Sequence, residues 1–166
     1  MKTIILTGMM GSGKTTAGKL LADKLNFEFI DIDKFIEKKE NLTISNIFKL
    51  KGESYFRQLE KETIQTVFKP RNQVISLGGG AFENCETRDF LLKNSCVIYL
   101  KTSPENIFQR IKNNNERPLL CGNMSVEKIR EIISKRKTNY EAAPNIIITD
   151  NKTPDEIIKE ITGVLL

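Results

Sequence analysis

A single α/β domain, with a five-stranded, mainly parallel sheet flanked by helices, is predicted by three observations. Five short apolar runs alternate with helix-forming stretches along the 166 residues, which is the rhythm of strand–helix–strand units. The first run leads straight into a glycine-rich loop and a helix. No repeat, long linker or change of composition divides the chain, and its length can bury a core without disulfides or a structural metal.

The first strand is Thr3-Ile4-Ile5-Leu6-Thr7, and a helix is expected over residues 16–25. Between them lies Gly8-Met9-Met10-Gly11-Ser12-Gly13-Lys14-Thr15, an instance of G-x-x-x-x-G-K-[ST]. Glycines there let the backbone wrap closely around phosphates, so that N–H groups and a helix N-terminus point at the anion. Gly11, Ser12, Gly13 and Thr16 belong to that cradle, Lys14 neutralises β/γ-phosphate charge, and Thr15 binds Mg²⁺.

A second strand, Glu28-Phe29-Ile30-Asp31, ends in one aspartate with Asp33 just beyond it. Helices are expected over 34–40, over 43–50 with Thr43 as N-cap, and over 53–68, with Gly52 breaking the last two. The third strand, Val74-Ile75-Ser76-Leu77, runs into Gly78-Gly79-Gly80, which marks backbone with unusual angles or backbone lying against a ligand. A short helix over 87–93 precedes a buried strand, Cys96-Val97-Ile98-Tyr99-Leu100. Ser103-Pro104-Glu105 supplies an N-cap, a proline at the first helical position and a first-turn acid for a helix to about Lys112. The polar stretch 113–123, broken by Pro118 and Gly122, reads as a mobile loop or lid. Ser125 opens a helix with Val126, Ile129 and Ile133 on one face and Arg136 one turn further along it. Asn145-Ile146-Ile147-Ile148-Thr149 is the fifth strand, and Thr153-Pro154-Asp155-Glu156 starts the last helix as a capping box.

Composition excludes several classes. Twenty-six basic residues face 21 acidic ones, and the net charge of +5 is spread along the chain rather than gathered in a block. That balance suits small anions as readily as nucleic acid, and no zinc-finger spacing, RNP-like segment or long basic run points to the latter. Cys85, Cys96 and Cys121 form no C-x-x-C pair and read as free thiols of a reducing compartment. The first strand begins too early to leave room for a signal peptide, and no apolar run nears the ~18–20 residues of a membrane span, so a cytoplasmic protein without membrane contact is expected. Histidine is absent, which leaves carboxylates, Lys, Arg, backbone amides and a bound metal ion to carry any chemistry.

In open α/β sheets ligands bind beyond the carboxyl ends of the strands. The phosphate loop, the aspartate pair and the glycine triplet lie at three such ends. Phosphoryl transfer needs an acceptor hydroxyl in line with the donor phosphate, a metal, and cations over the developing charge. Asp31 and Asp33 fit the carboxylate roles, one near the metal and one at the hydroxyl; the plainer reading has Asp33 capping the next helix and Asp31 ending a strand. Arg57 lies one helical turn before Glu60, which can orient its guanidinium from behind, or the two form a surface ion pair. Arg136 is aimed inward or solvated, and Arg110 and Arg117 flank the lid. Phe48 and Phe56 are core residues or walls of an acceptor pocket.

The combination resembles the shikimate kinase family, whose fold is a single P-loop kinase domain with a mobile lid. The landmarks span nearly the whole chain: Gly8 to Thr15, Asp31-Ile32-Asp33, Phe56-Arg57-x-x-Glu60, Gly78-Gly79-Gly80, Arg117-Pro118-Leu119-Leu120, Arg136 with Tyr140, and the turn from Asp150 to Pro154. The resemblance implies transfer of the γ-phosphate of ATP to the 3-hydroxyl of shikimate, with Mg²⁺, in aromatic amino acid biosynthesis. It implies that Asp33, Arg57, Gly79, Gly80 and Arg136 hold shikimate, the two arginines taking its carboxylate. Lys14 becomes the phosphate clamp, Arg117 the lid cation, and Thr15 with Asp31 the magnesium shell; Arg110 and Pro154 match adenine-binding positions. The lid is expected over about 112–124 and the acceptor-binding helices over about 34–68, in a monomer. Another small P-loop kinase acting on an acidic polyol such as gluconate is the alternative, and a regulatory nucleotide-binding module is disfavoured because Lys14, both aspartates and the arginines are all present.

Overall fold

The computed structural model describes residues 2–112 and 125–165. Five strands, β1 (Ile4–Thr7), β2 (Glu28–Asp31), β3 (Gln73–Ser76), β4 (Cys96–Lys101) and β5 (Asn145–Ile148), form one sheet in the order β2-β3-β1-β4-β5. Every pairing in it is parallel, with Ile5 registered against Ile75 on one side and Val97 on the other. The helices are α1 (Lys14–Leu25), α2 (Ile32–Glu40), α3 (Ile44–Val67), α4 (Cys85–Asn94), α5 (Pro104–Ile111), α6 (Val126–Tyr140) and α7 (Pro154–Leu165), and a 3₁₀ turn covers Ala81–Glu83.

Alternation along the strands sorts side chains onto two faces. Ile5, Ile75, Val97 and Tyr99 pack with Ile32 and Ile36 of α2, Phe56 and Leu59 of α3 and Tyr140 of α6. Ile4, Leu6, Val74, Ile98 and Leu100 face the other way, onto Ala17 and Leu21 of α1 and Ile157, Ile158 and Ile161 of α7. A third cluster seats Met9 and Met10 of the glycine loop on Ile107, Ile111 and Ile129, so α5 and α6 brace the loop from outside. Because β1 is central and β3 lies beside it, the ends of β1, β2 and β3 open onto one edge.

Helix starts follow their caps. Thr43, Asn84, Ser103 and Ser125 each accept a backbone N–H three residues on. The capping box at α7 closes, with Thr153 N donating to Glu156 Oε2 at 2.7 Å and Glu156 N to Thr153 Oγ1 at 3.3 Å.

Several boundaries differ from the sequence reading. α1 begins at Lys14, because Gly13 enters it from a left-handed conformation. α2 begins at Ile32, because Asp31 caps it by accepting Lys34 N at 3.1 Å, so the cap falls on Asp31 and not on Asp33. α4 runs longer than the 87–93 expected, with Asn84 as its cap. The break expected at Gly52 is present, since its φ of 82° and ψ of 167° are not helical, and α3 is two helices meeting at that kink. Arg117, Cys121 and the lid segment lie outside the described residues.

Candidate active site

The glycine loop turns tightly after β1, with Ser12 N donating to Met9 O at 3.1 Å. Gly8 sits at φ 141°, and a Cβ there would lie 2.6 Å from Leu100 O, so the first position of the motif admits no side chain. Lys14 is buried, and its ammonium donates to Gly8 O and Met9 O at 2.9 Å each. The loop thus carries its cation folded onto its own carbonyls. Thr15 Oγ1 donates to Asp31 Oδ2 at 2.6 Å, which brings the end of β2 against the start of α1.

A cavity of about 260 Å³ opens over this loop and is walled by Lys14, Thr15, Thr16, Asp31, Asp33 and Arg110. Next to it a second space, about 300 Å³, lies between Ser12, Thr16, Arg110, Lys152 and Pro154. Arg110 spans the two, donating to Gly11 O at 3.2 Å and Thr149 O at 3.4 Å. Asp150 was read only as the start of a turn, yet it accepts from Ser103 N at 3.0 Å and Asn106 Nδ2 at 2.7 Å and so locks that turn to the start of α5. Burial works against its charge, but these donors outweigh it and hold its carboxyl below the ordinary range.

The neighbouring pocket is built from side chains. Arg57 on α3 donates through Nη1 to Glu60 Oε2 at 2.8 Å and through Nη2 to Glu53 Oε1 at 3.3 Å, and it lies over the rings of Phe56 (5.2 Å) and Phe48 (6.0 Å). It is half-buried, so the surface-pair reading fails. The two phenylalanines serve both expected roles, since they pack together at 4.9 Å and also wall a pocket with Asp33, Arg57 and Arg136. Arg136 points inward and donates to Gly79 O at 2.9 Å, and the hydroxyl of Tyr140 donates to the same carbonyl. Tyr140 is fully buried and stacks on Tyr99 with ring centroids 5.0 Å apart.

The glycine triplet explains itself here. None of Gly78, Gly79 and Gly80 has a positive φ, so unusual backbone angles are not the reason for it. Crowding is: a Cβ on Gly78 would lie 2.4 Å from Glu60 Oε1 and 2.7 Å from Asp33 Oδ1, and one on Gly80 would lie 2.6 Å from Arg57 Nη2. Glu60 is the site residue that sequence reasoning gave only a supporting part. Burial, opposed by Arg57 and aided by the nearby Asp33 charge, pushes its carboxyl up to about 7. Arg57 lies nearer to solvent; burial opposes its charge too, but Glu60 and Glu53 more than offset that and raise its pKa.

Thr15 Oγ1 and Asp31 Oδ2, side by side at the mouth of the loop, suit Mg²⁺, a hard cation that takes a few oxygen ligands, substrate phosphates and water. Among the described residues no group of three or more Asp, Glu, Cys or His could hold a metal ion.

A phosphate loop at the end of β1 and, beside it, a cationic pocket for a second substrate define a small P-loop kinase. A family profile described as shikimate kinase matches residues 10–166. The chain belongs to the shikimate kinase family. It is 47% identical over 163 residues to a shikimate kinase of Persephonella marina, covering 98% of each chain. The structure superposes on shikimate kinase from Acinetobacter baumannii in complex with shikimate with a TM-score of 0.95 at 34% identity, over 99% of this chain and 93% of that one. A gluconokinase from Sinorhizobium meliloti, at TM-score 0.56 and 15% identity over 99% of this chain and 91% of that one, shares the fold alone.

Proposed function

We propose that the chain transfers the γ-phosphoryl group of ATP to the 3-hydroxyl of shikimate, giving shikimate 3-phosphate and ADP. The observation that carries this reading is that Asp33 walls both the loop cavity and the pocket of Arg57 and Arg136, so one carboxylate stands between donor and acceptor. Lys14 exchanges the Gly8 and Met9 oxygens for phosphate oxygens, and the cradle of Gly11, Ser12, Gly13 and Thr16 points N–H groups at them. Thr15 and Asp31 hold Mg²⁺, which supplies neutralisation of phosphate charge when bound.

On the acceptor side Arg57 and Arg136 take the carboxylate by charge-assisted hydrogen bonds, and the backbone at Gly79 and Gly80 lies against the ring. Asp33 orients the attacking hydroxyl and receives its proton late, since a loose transition state needs little help from a base. Arg110 and Pro154 bound the adenine. From the sequence alone, we assign a lid over 112–124 carrying Arg117 as a further cation, the acceptor-binding helices over 34–68, and one domain throughout. Every assigned residue comes from one chain, which supports a monomer. The free thiols of Cys85 and Cys96 and the use of ATP support a cytoplasmic location. Among the described residues no helix is long and apolar enough to cross a membrane.

A coupled assay tests this: ADP formation should require both shikimate and Mg²⁺. No shikimate-dependent ADP, with gluconate active instead, overturns it.

A further inference from the structure

Phosphoryl transfer makes no direct use of Glu60, yet its carboxyl lies deep in the acceptor site. The residue is 2% exposed, and while Oε2 takes the Arg57 hydrogen bond, Oε1 has no hydrogen-bond partner. That oxygen and Asp33 Oδ1 close on Gly78 together, at 2.4 and 2.7 Å from where its Cβ would be. The charged groups around Glu60 are Arg57, Glu53 and Lys61 on α3, Asp33 on α2, Arg136 on α6, and Glu83 on the turn after the triplet. Lys61 pairs outward with Glu86, so Arg57 is the cation that directly bonds the buried carboxyl.

An acidic acceptor arriving at Arg57 brings a second carboxylate to a guanidinium that already serves one. It also adds a negative charge to a pocket where burial and Asp33 already oppose ionisation of Glu60, whose carboxyl titrates near 7. We infer that Glu60 is a positioning residue that takes up a proton when the acceptor binds, passing Arg57 from the internal carboxylate to that of the substrate. The proton comes from solvent and forms one O–H bond on Glu60, and no other bond changes. Binding then adds one negative charge and removes part of another, so the net charge of the pocket changes by less than the full charge of the acid. The inference rests on the reading that shikimate's carboxylate engages Arg57.

The two substrate forms behave differently under this scheme. Free shikimate stays ionised above pH 6, so any proton taken up belongs to the protein. A methyl ester of shikimate brings no charge and should take up none.

Calorimetry of shikimate binding to the whole chain, in buffers of different ionisation enthalpy between pH 6 and 8.5, tests the scheme. If the acceptor raises the Glu60 pKa by about one unit, roughly half a proton is taken up per shikimate near pH 7.5, and Kd weakens by up to about tenfold across that range. Glu60→Gln keeps an oxygen for Arg57 Nη1 and should bind with no proton uptake and a flat Kd. Shikimate binding without uptake in the wild type, or with full uptake in Glu60→Gln, overturns the inference and leaves the substrate reading intact. No shikimate binding at any pH overturns both. If the variant does not fold, the proton count of the wild type still decides.

Discussion

The half of the site proposed to hold the donor is made of backbone, and the half proposed to hold the acceptor is made of side chains. Around β1 a tight loop, a left-handed Gly13 and two carbonyls holding Lys14 set the geometry within eight consecutive residues. Around the triplet, Asp33 from α2, Arg57 and Glu60 from α3 and Arg136 and Tyr140 from α6 converge on three glycines from a hundred residues of chain. A backbone site tolerates few substitutions and can be recognised from a short motif. A side-chain site depends on how distant elements pack, and it can be tuned one residue at a time.

That division predicts which measurement each substitution moves. The largest effect is expected for Lys14→Ala, which should lower kcat by about 10³-fold while leaving shikimate binding by calorimetry nearly unchanged. Joint loss of shikimate binding would show that the halves are not separable. Arg57→Ala comes next: removing a charge-assisted pair should raise KM for shikimate by about 10- to 100-fold with KM for ATP within twofold. An unchanged shikimate KM breaks the assignment. Tyr140→Phe deletes one donor to Gly79 O and should cost about 1 kcal/mol, or roughly fivefold in shikimate KM, with little change in Tm beyond that same energy.

The last effect concerns stability alone. The Glu60 carboxyl is raised to about 7 in the folded chain, against 4.5 as its ordinary value. The folded state therefore binds more protons than the unfolded one between those values, and stability falls as pH rises through that window. The contribution of this group is fully present below pH 4.5 and lost above 7. Glu60→Gln should flatten the fall of Tm between pH 5 and 7, and an unchanged slope would place the titration elsewhere.

The same contrast governs what could be read before the structure. The loop declared itself because its chemistry needs fixed residues at fixed spacing, and a five-stranded, mainly parallel sheet followed from the alternation of strands and helices, while the order of the strands came only with the structure. The acceptor residues were each ambiguous by themselves, since Arg57 and Glu60 look alike as a surface pair or as a buried one until α3 is docked. Asp31 took the cap that seemed open to Asp33, because both lie at the strand–helix junction and only the backbone turn decides between them. The triplet was seen, but its cause was not: crowding by Asp33, Glu60 and Arg57 is a property of packing, invisible to any local rule. Arg117 and the lid still rest on sequence.

Gly79 links the two halves. Its carbonyl holds Arg136 and Tyr140, while on its other side an added Cβ would lie 3.2 Å from Met10 N of the loop. The close approach of the triplet to the glycine loop is therefore gauged by a missing methyl. An alanine here would act as a shim, and the glycine loop or the triplet would have to give by a few tenths of an ångström to admit it.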